Sequence, residues 1–165
     1  MAGGLKEVRE RITSVQNTMQ ITSAMKMVAA AKLRRAQDAI TRMRPYAEKL
    51  QGVLSNVSAS LDSSDGVYSQ QRDVKRVLIV TITSNRGLCG GFNNNIIKAA
   101  NTLMQDEGVE YHVLPLGKKA YEAFLKRSEL KAVGFDEDAW KIYDDLNFER
   151  AQKIGEDIMT QFVKG

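Results

Sequence analysis

The chain opens on a hydrophobic repeat with a period of 3.5 residues. Stepping alternately three and four residues from Leu5 gives Leu5, Val8, Ile12, Val15, Met19, Thr22, Lys26, Ala29, Leu33, Ala36, Ile40, Met43, Ala47, Leu50, Leu54, Val57 and Leu61. Of these 17 positions only Thr22 and Lys26 are not apolar. A stripe that keeps this period for so long is the seam of a left-handed coiled coil. At 1.5 Å per residue it spans about 85 Å. No other segment of the chain is long enough to cover it, so the pattern predicts a rod that needs another helix. Pro45 falls inside the repeat. An interior proline loses a backbone hydrogen bond and crowds the preceding turn, at a cost of about 3 kcal/mol. The heptad phase is nevertheless the same on both sides of it, which predicts one continuous helix kinked near Pro45.

Around residues 21–31 the stripe widens as Ile21, Ala24, Met25, Met27, Val28, Ala30 and Ala31 join the seam. A helix apolar nearly all round is expected inside a surrounding sleeve, and the methionines suit an adaptable surface. The competing reading is an alanine-rich run that simply favours helix.

Beyond a polar stretch the period changes to that of an α/β unit. Val77–Thr83 is a β-branched run, predicted to be a buried strand. A glycine-rich turn, Ser84–Asn95, leads to a helix from about Asn94 to Glu107. Tyr111–Leu116 is a second strand, Gly117–Lys126 a short helix, Lys131–Val133 a third short strand, and Phe148–Phe162 a final helix. Alternation of strand and helix implies a parallel sheet with right-handed crossovers. The predicted fold class is therefore α/β with a long N-terminal coiled-coil helix and a partial, Rossmann-like parallel sheet with flanking helices. Its parts are the helix at 1–61, a linker at 62–73 and an incomplete α/β domain at 74–165. Two or three strands make a thin sheet, and the chain reads as the front portion of a longer polypeptide.

Charge is uneven. Residues 1–50 carry a net +6 and residues 51–165 a net −2, so the rod is expected near an acidic or anionic surface unless its charges simply solvate it. Nucleic-acid binding is disfavoured, because the basic residues are scattered and Tyr46 is the one aromatic among them. No run of apolar residues is long enough for a transmembrane helix. No signal or transit peptide is recognised, and a single cysteine, Cys89, excludes an internal disulfide.

The turn Gly87-Leu88-Cys89-Gly90-Gly91 supports three readings. Glycines between strand and helix can cradle a phosphate, but the spacing matches neither nucleotide-binding fingerprint and no lysine closes the turn. The turn also has the form of a nucleophile elbow with Cys89 as nucleophile, which would make the protein a cysteine-dependent hydrolase. The chain's one histidine, His112, lies mid-strand and no histidine follows it. The third reading is structural, with glycines permitting a tight turn, Cys89 as a small buried residue and His112 in an ordinary hydrogen bond. The carboxylates Asp136, Glu137, Asp138, Asp144 and Asp145 are expected in a solvated loop, and no Cys/His metal spacing occurs.

Two stretches together resemble one family. Gln16–Gln37 (QNTMQITSAMKMVAAAKLRRAQ) is similar to the N-terminal helix of the γ subunit of F-type ATP synthase. Asn85–Asn93 (NRGLCGGFN) is similar to that subunit's strand-to-helix turn, with Asn85 where the family more usually has aspartate. Arg44-Pro45-Tyr46 resembles its mid-helix proline. Members of the family carry a further C-terminal portion, which completes the sheet and ends in a long helix paired with the first; residues 1–165 do not contain it. The resemblance implies a rotor subunit with no bond chemistry and no cofactor or metal of its own. The implied partners are the α and β subunits of an α3β3 ring, the ε subunit and the c-ring. The implied rotor–stator contacts are Ile21, Met25, Lys26, Arg34 and Arg35. The implied location is peripheral, on the cytoplasmic face of a bacterial inner membrane. A stand-alone coiled-coil scaffold is the remaining alternative.

Overall fold

The computed structural model describes residues 2–60, 66–68, 72–105 and 108–164. The chain divides into two units, residues 1–61 and 62–165. The first contains a single helix, α1, Ala2–Ser60, which runs 59 residues without a break and takes Pro45 within it. Its threonines fold back on the helix. Thr13, Thr18, Thr22 and Thr41 each donate their hydroxyl to the carbonyl four residues earlier. This matters most at Thr22, a polar residue on the seam: its donor is already satisfied by Thr18 O at 2.8 Å. The apolar seam residues stay open, from 46 % exposure at Leu50 to 68 % at Leu5.

The second unit is built on a two-stranded parallel sheet. Strand β1, Arg76–Ile82, leads through helix α2, Phe92–Leu103, to strand β2, Glu110–Leu116. The strands pair in register from Arg76 with Glu110 to Ile82 with Leu116. Helix α3, Lys118–Phe124, two short 3-10 helices at Ser128–Leu130 and Ala139–Asp144, and helix α4, Phe148–Lys164, complete the unit. Helix α2 stops at Leu103, earlier than its apolar pattern suggested; the expected end at Glu107 lies outside the described residues, as do most of the linker positions 62–73.

The two-residue period of the strands sorts the core into two layers. On one face Ile79, Tyr111 and Val113 pack with Ile97 and Ala100 of α2 and with Ala120 and Phe124 of α3. On the other, Leu78, Leu114 and Leu116 pack with Ala139 and Ile142 of the second 3-10 helix and with Ile154 and Ile158 of α4. Strand β1 is not buried throughout, contrary to its sequence: on the second face Ile82 is 56 % exposed, because the α4 layer packs over Leu78 and the β2 side of the sheet.

The third strand shrinks to one bridge, Val113 with Lys131. The reason lies in β2. Its Glu110 N–H and Leu116 carbonyl bond toward β1 and the segments flanking it, so alternation turns Val113 and Pro115 to the outer edge. Proline has no N–H to offer there, and a strand cannot extend past it.

The ends of the strands are joined at Gly117. Its φ of +118° is open only to glycine, and a Cβ there would meet Thr83 O at 2.1 Å. Gly117→Ala is expected to destabilise the fold by about 3 kcal/mol, since both backbone strain and a clash with main chain would follow. Urea denaturation followed by circular dichroism checks this; a loss under about 1 kcal/mol would mean the two segments separate easily.

Candidate functional site

Two regions are candidates for function: the surface of α1, and the turn at the end of β1. On α1, helical geometry of 100° per residue separates the five implied contact residues. Ile21 and Met25 lie within about 40° of each other, and both are more than 60 % exposed. Arg35 projects about 40° to the other side of Ile21, Lys26 about 100° beyond Met25, and Arg34 about 180° from Met25. The helix thus brings Ile21, Met25 and Arg35 onto one broad face and sends Lys26 and Arg34 elsewhere. Among the described residues none of the three cations takes part in an ion pair.

At the end of β1 the chain does not stay extended, because polar side chains there have local partners. Asn93, buried at the start of α2, accepts from Ser84 N–H at 3.0 Å and donates through Nδ2 to Arg86 O at 3.3 Å and Cys89 Sγ at 3.1 Å. Leu88 at the tip holds a left-handed φ of 61° and its side chain is wholly exposed. Three successive amides at the start of α3 are taken by the same segment: Lys118 N–H by Asn85 Oδ1 at 3.0 Å, Lys119 N–H by Ser84 O at 3.3 Å and Ala120 N–H by Thr83 Oγ1 at 2.9 Å. At the start of α3 these backbone donors are therefore satisfied by protein atoms. Asn85 is also explained. Its amide oxygen receives Lys118 N–H while its Nδ2 donates to Asp144 Oδ1 at 3.3 Å; an aspartate would set two carboxylates against each other.

Cys89 is exposed, which corrects its reading as a small buried residue: the turn that positions it projects away from the strands. Its neighbours are Ser84 Oγ at 3.9 Å and Asn93 Nδ2. His112 has its Nδ1 at 3.2 Å from Lys131 O and its Nε2 at 3.2 Å from Glu110. Neither ring nitrogen is engaged with the thiol, so the general base that a thiolate nucleophile requires is not in place. The acidic stretch is organised rather than loose. A bond from the Asp138 amide, then the charge of Lys153, holds the Asp136 carboxyl below the usual carboxylate range. Asp138 pairs with Lys141 at 2.8 Å and so raises that amine's pKa. Among the described residues no group of His, Cys, Asp and Glu converges to hold a metal ion.

A family profile described as ATP synthase matches residues 4–165. The chain belongs to the ATP synthase family. The gamma chain of ATP synthase from Flavobacterium johnsoniae is 51 % identical over 163 residues, covering 98 % of this chain and 55 % of that protein. That from Cytophaga hutchinsonii is 47 % identical over 168 residues, covering 98 % and 56 %, and that from Prosthecochloris aestuarii 41 % over 168 residues, again 98 % and 56 %. The chain spans about half the length of these curated relatives. The one sequence signal of the polar tie around Asn93 is Ser84, placed directly after a β-branched run.

Asn93→Ala is expected to lower stability by about 1–3 kcal/mol, because it strips partners from buried polar groups at once. Thermal unfolding reads this; an unchanged midpoint would show that the turn needs no such tie. Cys89→Ser is expected to change stability by less than about 0.5 kcal/mol, and the wild-type thiol to react with iodoacetamide in the folded chain.

Proposed function

We propose that the chain forms part of the central-stalk rotor of an F-type ATP synthase. Rotation of the c-ring would turn α1 inside the α3β3 ring and bias each β-subunit site in turn for ATP synthesis or hydrolysis. The observation that carries this reading is the uncovered seam of α1 together with family membership: a helix of 59 residues with an apolar face has to be surrounded, and the relatives that share its sequence are gamma chains. The rotor performs no bond formation itself. It shifts site equilibria only through contacts that differ between states.

The seam from Leu5 to Leu61 would pack against a second long helix, while the widened band at 21–31 faces the sleeve. Met25 and Lys26 would approach an acidic segment of β, with Arg34 and Arg35 near the same surface. The small parallel sheet is then one side of a larger Rossmann-like sheet, and the exposed Val80 and Ile82 of β1 would be covered when it is complete. That unit would sit as a foot beside ε and the c-ring, peripheral at the cytoplasmic face of a bacterial inner membrane. In support, no helix among the described residues is long and apolar enough to cross a membrane. A cysteine hydrolase is not favoured, because His112 is engaged elsewhere.

Co-purification with α and β subunits tests the assignment: a stable assembly is expected, and a chain that sediments only with itself would favour the scaffold alternative. Exposed ion pairs are worth about 0–1 kcal/mol each, so steric push from the stiff helix should carry the torque. Lys26→Ala is therefore expected to keep at least about half of ATP-driven rotation in a single-molecule assay, and complete loss would contradict this division of labour.

A further inference from the structure

The residues that weaken α1 between Ala36 and Leu54 all fall on one side of it. The seam there runs through Ala36, Ile40, Met43, Ala47, Leu50 and Leu54. At 100° per residue, Pro45 lies about 180° from the middle of that seam, Gly52 about 160° and Thr41 about 140°. Each loosens the helix in its own way. Proline has no N–H, so the Thr41 carbonyl has no helical donor four residues on, and the ring crowds that same carbonyl. The Thr41 hydroxyl is turned back to Gln37 O at 2.9 Å, a bond that tends to bend a helix. Glycine gives up more backbone freedom in a helix than any other residue. Gly52 has no packing reason to be glycine, since a Cβ there would meet nothing within 4 Å.

We propose that Thr41, Pro45 and Gly52 form a directed bending element, which curves α1 toward its own seam. A helix is convex on the side where its carbonyls tilt out and its hydrogen bonds lengthen. The interrupted bond of α1 lies on the face away from the seam, so the seam becomes the inner, concave face. The apolar positions before and after Pro45 then converge on one covering helix. That is the direction in which a coiled-coil helix winds about its partner. A proline on the seam itself would bend the two arms away from the partner. The curvature is a property of α1 alone and does not rest on the rotor reading.

Pulsed electron–electron resonance on the full chain tests the direction of the bend. Nitroxide-labelled cysteines replace Asp38 and Asn56 on the outer face, or Ala36 and Leu54 on the seam, in a Cys89→Ser background diluted with unlabelled chain. Each pair is 18 residues apart, or about five turns and 27 Å. Pro45→Ala restores the missing donor and is expected to straighten the helix. For a proline bend of about 20° in a helix about 10–12 Å across, the outer pair should close by about 2 Å and the seam pair open by about 2 Å. Adding Thr41→Val and Gly52→Ala should narrow both distance distributions further, and no narrowing overturns their part in the element. Unchanged separations in Pro45→Ala overturn the bend. Shifts of the same sign in both pairs, or of the reverse signs, overturn its direction toward the seam.

Discussion

An apolar seam along a single helix cannot be left in water. Each aliphatic side chain moved out of water contributes about 1.5–3 kcal/mol, and the seam carries fourteen apolar positions within α1 with no covering segment of comparable length in the rest of the sequence. The helix itself is well specified locally. Alanine, leucine, methionine, lysine and arginine favour it, and threonine hydroxyls return to its own carbonyls. What the helix needs beyond itself is cover for its seam. The seam's two polar positions differ in that respect: Thr22 carries its own hydrogen bond and could be buried cheaply, whereas Lys26 would need an outside acceptor.

The long helix was the most legible part of the fold, because one unbroken period outweighs a single proline. The helix runs through Pro45 as the shared heptad phase implied. The first two strands and the last helix were legible for similar reasons: a β-branched run marks β1, a short aromatic and aliphatic run marks β2, and a 3.6-residue stripe placing Ile154 and Ile158 on one face marks α4. The expected third strand is reduced to one bridge, Val113 with Lys131. Its β-branched content is too short to overrule Pro115, whose effect depends on which way β2 faces, and that orientation is a property of the pairing. The two 3-10 helices were also missed, since three to six residues give no period. Trp140 found its partner only in space, stacked on Tyr121 at 4.7 Å.

The proposed contact surface is specified by the sequence as a region more than as residues. Family-like sequence in Gln16–Gln37 points to α1, but a lone helix distributes Ile21, Met25, Lys26, Arg34 and Arg35 around its circumference, and which of them meet a partner depends on that partner's shape. The turn after β1 shows the converse. Its glycines looked like the informative residues, yet the geometry is held by Thr83, Ser84, Asn85 and Asn93, which satisfy backbone donors there and at the start of α3. Cys89 is exposed at that turn, with Asn93 Nδ2 at 3.1 Å from its sulfur.

The most direct measurement is thiol accessibility across α1 in the assembled complex, in a Cys89→Ser background. Ile40 lies on the seam and Asp38 on the opposite side of the helix. If another helix covers the seam, a cysteine replacing Ile40 should react with maleimide at least about tenfold more slowly than one replacing Asp38, the difference expected for burial against exposure. Equal rates would mean that the seam faces solvent and that α1 is not a partnered rod.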